Sequence, residues 1–433
     1  MKITATNAWQ MLGAITVHSL AKNESSISGN TLTLNIPKKE VFRRALGDLL
    51  SENKKPWRGF VRPFLKQYTT VERIGKITQE TESGSKYCNY CRRMLSSLEY
   101  ESLVSFPLLV KSNNFLNFYS FGKTEAGVCL DCQFLGALAP LSLFFTSRRD
   151  GSSQIISYIV PCEETLERAW AMFTWMSEVQ NKGSWTNINV NSRFSPSEPS
   201  ESLLLLLHAL KRKTGIVHDS TFWILKVNVT GRDASFEVND TFLETGRLKT
   251  LLGQLDERGV DLAAVLDSLV VTGEGSVSTI MRDQLARLIL RFSNLEKFLE
   301  HALFKTMRSI TGLFEFLCSY ESAKGGIGVD ETLIEKGRKA GEIVGNAVFE
   351  EDSFGDLYNL RNSKTLDDFV EQLSYLAVKY AREKRTVRIP EDYLEALDDN
   401  TWRRAKALLV IFAVNKYLQR QYAREKNNGG DNR

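Results

Sequence analysis

The chain has 433 residues, of which 42% are hydrophobic and 25% charged, and its formal net charge is +4. This composition is ordinary for a folded globular protein, which sets it apart from disordered and fibrous chains, and the length suffices for two or three domains with separate cores. Met1-Lys2 leads into a mixed polar segment without the apolar core of a signal peptide, and the longest apolar run, 407–414, is far too short to span a bilayer. A cytosolic (cytoplasmic) protein with no membrane partner and with reduced cysteines is therefore expected.

The charge is unevenly spread. Between Lys38 and Lys76 there are 11 Lys or Arg against 4 Asp or Glu, and between Lys379 and Lys426 there are 12 against 7. Two basic stretches suggest contact with a polyanion. Solvated surface faces give the same counts, so both readings stay open.

Asn7–Ala21 has apolar residues at helical spacing. Residues 26–36 alternate around Gly29-Asn30 and read as a hairpin or edge strands. Pro37 opens a helix over about 38–51. The loop that follows carries Lys54, Lys55, Trp57 and Arg58. Three cations with an aromatic can grip phosphate and stack on a base, although a surface loop with one anchoring Trp has the same composition.

Two Cys-x-x-Cys pairs come next, Cys88/Cys91 and Cys129/Cys132, with 37 residues between them. Two residues between thiolates let both sulfurs of a turn face one ion, and two such turns complete a tetrahedral all-sulfur shell. Zinc (Zn2+) suits that shell first and iron second. Such a site has no open coordination position, so it is structural, and metal binding there is folding energy for the insert between the pairs. Disulfides, a redox pair and chance co-occurrence are the competing readings. Cys162 and Cys318 are isolated and read as buried small hydrophobes.

Between the pairs, 103–110 and 113–121 look like strands. After them, 135–146 is apolar with a break at Pro140, 147–151 reads as a turn and 155–160 as a strand. Glu163–Val179 is a helix with a core cluster of Trp170, Phe173, Trp175 and Met176. Residues 181–202 are the strongest loop signal, and a helix over 202–213 ends in Lys211-Arg212-Lys213 before a strand at 221–229. From about Thr241 helical periodicity takes over, with helices expected at 251–269, 280–320, 331–347, 366–383, 390–397 and 401–422. The expected fold class is α+β. A mixed α/β domain over 1–240 carries a zinc-knuckle insert at about 81–150. An all-α helical bundle follows over 241–426, and then a disordered tail over 427–433.

Catalytic signatures are missing. There is no phosphate loop, nucleophile elbow, H-E-x-x-H or dinucleotide fingerprint, and the four histidines at 18, 208, 218 and 301 cannot complete a metal site around His218-Asp219. A binding or assembly protein that is not an enzyme is the expectation.

A mixed N-terminal part, a C-x-x-C…C-x-x-C insert and a helical C-terminal part, in this order, resemble the CXXC–CXXC group of CRISPR-associated large subunits from type I-B (or related I-A) Cascade complexes. The likeness covers nearly the whole length in architecture, and its specific motif is Cys88, Cys91, Cys129 and Cys132. The resemblance implies a non-catalytic subunit of an antiviral ribonucleoprotein complex, seated near the 5′ end of the guide CRISPR RNA. It would recognise the motif flanking the target (the PAM) in double-stranded DNA, help to open the duplex into an R-loop and hold the displaced strand, while guide pairing reads the sequence. The implied partners are target DNA, the Cascade backbone and guide-5′-end subunits, a small subunit and a recruited helicase-nuclease. The family's bundle resembles that small subunit, and Met281 and Met307 each precede a bundle-sized fragment that an internal start would make.

The nucleic-acid contacts rest on physical grounds alone. Asn187, Asn189, Asn191, Ser192 and Arg193 offer short amides for base edges and a phosphate anchor. Lys54, Lys55, Trp57 and Arg58 can wedge and clamp a duplex. Lys211, Arg212 and Lys213, with Arg382, Lys384, Arg385, Arg388, Arg403, Arg404 and Lys406, can line a single-strand groove. Two other readings stand beside this one: a zinc-knuckle adaptor without DNA contact, and a zinc-containing enzyme acting on nucleic acid.

Overall fold

The computed structural model describes residues 1–50, 75–80, 82–100, 127–150, 153–179, 193–196, 198–230, 233–241, 245–273, 276–325, 331–382 and 387–428. The chain divides into two compact units, Met1–Val190 with Ser197–Leu243, and Asn191–Pro196 with Glu244–Arg433.

The first unit starts with β1 (Lys2–Thr4), α1 (Ala8–Leu20), β2 (Ser25–Ser28), β3 (Thr31–Leu34) and α2 (Lys38–Leu50). β1, β3 and β2 form an antiparallel sheet, and the β2–β3 turn uses Gly29 at φ 55°, a conformation glycine adopts without strain. Asn7 caps α1, its side-chain oxygen accepting the Gln10 N–H at 2.9 Å. Ala8 to Val17 of α1 are all buried, so this helix is enclosed on every side. After β4 (Ser83–Tyr87), β5 (Met94–Leu95), β6 (Glu99–Tyr100) and β7 (Gly127–Val128) comes α3 (Leu130–Leu138), which crosses α1 so closely that a Cβ on Gly13 would land on the Leu135 carbonyl. Trp9 Nε1 donates to Gly136 O at 3.1 Å, and the Thr16 hydroxyl to Leu138 O at 3.0 Å.

β8 (Phe144–Asp150), β9 (Ser153–Cys162), α4 (Leu166–Met176), α5 (Pro199–Thr214), β10 (Thr221–Thr230) and β11 (Asp233–Thr241) complete this unit. The four strands form an antiparallel sheet in the order β11-β10-β9-β8. Strand alternation separates its faces. Phe145, Ile156, Tyr158, Val160, Leu225 and Val227 pack with Ala8, Trp9 and Leu12 of α1. On the other face Phe144 meets Phe173 of α4 at 5.3 Å, and the Thr146 hydroxyl meets that of Ser202 on α5 at 2.6 Å. The sheet is thus the middle of three layers. The turn expected at 147–151 is instead the continuation of β8, paired through Asp150 with Ser153. An edge strand tolerates such polar residues because one side of it meets water.

The second unit holds α6 (Thr245–Glu257), α7 (Leu262–Asp267), a small hairpin of β12 (Val271–Gly273) and β13 (Ser276–Ser278), α8 (Ile280–Leu290), α9 (Glu296–Thr306), α10 (Leu313–Lys324), α11 (Glu331–Glu350), α12 (Gly355–Asn362), α13 (Leu366–Arg382), α14 (Glu391–Leu394) and α15 (Trp402–Asn428). The single helix expected over 280–320 is three, broken where Phe292, Met307 and Gly312 take positive φ. Distant groups hold the breaks. The Tyr320 hydroxyl donates to Leu288 O and Ser293 O, and Asn415 accepts from Ile310 N at 2.6 Å while donating to Ile310 O. Leu408 to Val414 of α15 are buried all round, which makes this helix the centre of the unit. Chains begun at Met281 or Met307 would lack α6 and its buried Leu248, Leu251, Leu252 and Leu255.

Arg282 on α8 is fully buried. It pairs with Asp267 at 2.7 Å and donates to Phe194 O and Ser195 O, while Asp267 also accepts from the Arg193 backbone N–H at 2.6 Å. Removing one partner of a buried pair strands the other charge. Arg282→Ala is expected to destabilise this unit by about 3–5 kcal/mol; an unchanged denaturation midpoint would refute the role.

Among the described residues no helix is long and apolar enough to cross a membrane.

Candidate metal centre

Each cysteine pair is positioned by its own backbone device. In the first, Arg92 N donates to Cys88 O at 3.1 Å, Cys88 N to Arg93 O at 3.0 Å, and Asn89 N to Gly127 O at 3.0 Å, so the turn is closed and tied to β7. In the second, Cys129 is the N-cap of α3, its sulfur accepting the Cys132 N–H at 3.4 Å. The Cys129 N–H donates to Cys88 Sγ at 3.3 Å and so links the two pairs. N–H groups aimed at sulfur, at a helix N-terminus, favour thiolate.

The four sulfurs converge. Cys88 Sγ lies 3.9 Å from Cys132 Sγ, Cys91 Sγ lies 3.6 Å from Cys129 Sγ, and all four fall within 4.8 Å of one another. A tetrahedron with metal–sulfur bonds of about 2.3 Å has edges of about 3.8 Å, so the cluster has the size of a metal shell. Disulfide sulfurs would be bonded at about 2.05 Å; all six cysteines of the chain are free. Cys88, Cys129 and Cys132 are buried and Cys91 is half-buried.

Without a cation the quartet cannot ionise together. Hydrogen bonds from Cys129, Cys132 and Cys88 draw Cys91 below the usual thiol range, with Arg93 adding to them, and bonds from Cys129 and Cys132 lower Cys88. Cys129 is lifted, despite its bond from Cys132, by Cys88, Cys91 and burial. Cys132 is lifted by Cys129, Cys88, Cys91 and burial. Two sulfurs are pushed down and two up, which is how like charges sharing one site divide. A bound divalent ion removes the conflict, because coordinated thiols are deprotonated.

A charge chain, buried at Asp131 and Lys38, backs the cluster. Arg93 donates to Cys91 Sγ at 3.4 Å and to Cys129 Sγ at 3.8 Å, and pairs with Asp131. Asp131 also pairs with Lys38 at the start of α2, and both of these side chains are only 2% exposed. Lys38 further donates to Gln79 O at 2.9 Å and lies over the Phe134 ring. Four thiolates exceed the charge of a divalent ion by two, so a cation against two sulfurs offsets part of the excess. The sequence reading passed over Arg93, Asp131 and Lys38. A signal existed in the charged residues inside and just after the pairs, C-L-D-C and C-R-R, but Lys38 lies too far along the chain to be read from spacing.

The expected nucleic-acid residues are scattered in their roles. Lys54, Lys55, Trp57, Arg58, Asn187, Asn189, Asn191, Ser192, Lys384 and Arg385 lie outside the described residues, as does the side chain of Arg382. Arg193 is exposed, its guanidinium over Phe194 at 5.3 Å. Lys211 donates to Gly215 O at 3.0 Å and Lys213 pairs with Glu178, whereas Arg212 is exposed. Arg388 meets Glu391 at 3.3 Å in full solvent, and Arg403 lies exposed over Trp402. Arg404 is held between Glu296 and Glu321, each at 2.8 Å. Lys406 donates to Arg361 O and Ser363 O at the end of α12, where burial lowers its pKa. Arg404 and Lys406 therefore tie the helices together, and among the described residues Arg212, Lys213, Arg388 and Arg403 are the exposed members of the groove set. Among the described residues, the four cysteines are the one predicted group brought together as a cluster.

Compared with known proteins, the chain matches no family model and no curated protein.

Proposed function

We propose that the chain is the non-catalytic large subunit of a type I CRISPR Cascade complex, with zinc in the four-cysteine cluster as a structural ion. It would recognise the target-flanking motif in duplex DNA, promote opening and hold the displaced strand, together with guide RNA, backbone and guide-5′-end subunits. The observation that carries this reading is the combination, in one chain and in this order, of a mixed α/β unit with a buried four-cysteine cluster and a helical second unit. The closed all-sulfur shell adds support, since it leaves no position for substrate.

A salt-titrated gel shift tests it. The assembly, purified with and without this chain, is presented with duplexes carrying randomised flanking sequence. Loss of flank-dependent binding without the chain is expected, along with a steep salt dependence from phosphate contacts. Equal binding with and without it would sink the proposal and leave a zinc-knuckle adaptor.

A further inference from the structure

The outer face of the first knuckle is built unlike a mere metal clamp. β4 is exposed along its whole length, and β5 pairs with it so that Tyr87 stands opposite Met94. Directly opposed residues share one face of a hairpin. Tyr87 is 44% exposed and Met94 is 49% exposed. The exposed Arg92 closes the knuckle and lays its guanidinium over the Tyr87 ring at 5.3 Å, with Nη1 donating to the phenol oxygen at 2.8 Å. Lys86, one residue before Tyr87 and opposite Leu95, leaves the strand from the other face, so Arg92 is the cation of this face. Among the described side chains, the nearest exposed acid along the chain is Glu82, at the base of the hairpin.

Arg92 sits at φ 63°. Glycine takes that conformation freely, while any residue with a Cβ is strained there. A knuckle turn chosen for stability alone would place glycine at this position. The arginine instead sets a guanidinium on an exposed ring, a weak contact at the surface. Strain held at a metal-fastened turn, beside open aromatic surface, is the pattern of a ligand contact. Arg92 spends one of its five donors on Tyr87, which leaves the others for phosphate.

We propose that the Tyr87–Arg92–Met94 face of the knuckle hairpin binds single-stranded nucleic acid. A base stacks on the open surface of Tyr87, flanked by Met94, and the adjoining phosphate meets Arg92. Stacking on an aromatic beside cations is indifferent to sequence, which suits a strand held and not read. The metal cluster keeps the platform rigid, so little conformational freedom is lost on binding. The contact needs neither guide RNA nor backbone subunits, and it stands apart from the complex proposed above.

The test uses the full-length, metal-loaded chain and a fluorescein-labelled oligo-dT, read by anisotropy across a salt series. Arg92→Gly relieves the backbone strain while removing the cation. It should keep metal content and unfolding midpoint yet bind the oligonucleotide about fivefold to tenfold more weakly, with a salt slope shallower by about one. Tyr87→Ala should weaken binding at least about fivefold, and Tyr87→Trp should restore it. Wild-type affinity and slope in both Arg92→Gly and Tyr87→Ala would overturn the proposal. So would an unmutated chain that ignores the oligonucleotide at about 50 mM salt. Variants that bind the strand normally but no longer join a protein partner would also overturn it, in favour of a protein-docking face.

Discussion

Cys132→Ser is expected to abolish tight metal binding and to loosen the knuckle and the start of α3. Cys132 is a buried member of the cluster, 3.9 Å from Cys88 Sγ. A structural zinc site contributes about 10–16 kcal/mol of apparent binding energy, of the same order as a whole domain's stability of about 5–15 kcal/mol. The sheet core on α1 and the cysteine cluster share no fully buried residue but are bridged by Tyr90, so the loss should begin at the knuckle and reach the core later. Elemental analysis should find one zinc per wild-type chain and far less in the variant, and hydrogen exchange should accelerate over 82–100 and 127–138. Cys162→Ser is the control, since Cys162 contacts Val160 O and takes no part in the cluster. Arg93→Gln should act more mildly, lowering metal affinity about 10–100-fold, as expected for a group that holds ligands without being one. Full metal content in Cys132→Ser, or unchanged exchange after chelation, would refute the site. Iron in place of zinc would keep the shell and change the ion.

The cysteine cluster was legible because its geometry is local. Two residues between cysteines place both sulfurs on one turn whatever the rest of the chain does, so spacing alone found all four members. The hairpin at Gly29 and the buried run on α15 were legible for a similar reason, each being a property of a few consecutive residues. What spacing could not reach was long-range. Lys38 backs a site whose cysteines begin 50 residues later, and Asn415 breaks a helical run by binding the backbone of Ile310, 105 residues earlier. Arg404 and Lys406 look on paper like groove cations, but their partners at Glu296, Glu321, Arg361 and Ser363 come from other helices. β11 was missed because its Asn and Asp residues are weak strand formers, and pairing with β10 overrides that preference.

Gly345→Ala is expected to destabilise the helical unit, the reverse of what the same change does in an open helix. On propensity alone, Gly to Ala in a helix interior stabilises by about 1 kcal/mol. α11 carries Gly337, Gly341 and Gly345 four residues apart, hence on one face, and that face lies on α15. A Cβ on Gly337 would sit 2.7 Å from Leu408 Cβ, and one on Gly341 2.6 Å from Leu409 O. A Cβ on Gly345 would land on Ala413 O. The contacts advance in the same direction along both helices, so the two run parallel, and α12, α13 and α14 form the return connection. Three glycines forgo about 3 kcal/mol of helix propensity, a loss offset by the close approach of the backbones. Carbonyl oxygens of a packed helix cannot step aside as a flexible side chain can. The overpacking cost of about 1–3 kcal/mol therefore exceeds the propensity gain. Gly253→Ala in α6 is the matched control, because nothing lies within 4 Å of its would-be Cβ. Urea denaturation should give a higher midpoint for Gly253→Ala and a lower one for Gly345→Ala. Two midpoints moving upward together would show that α11 and α15 do not approach backbone to backbone.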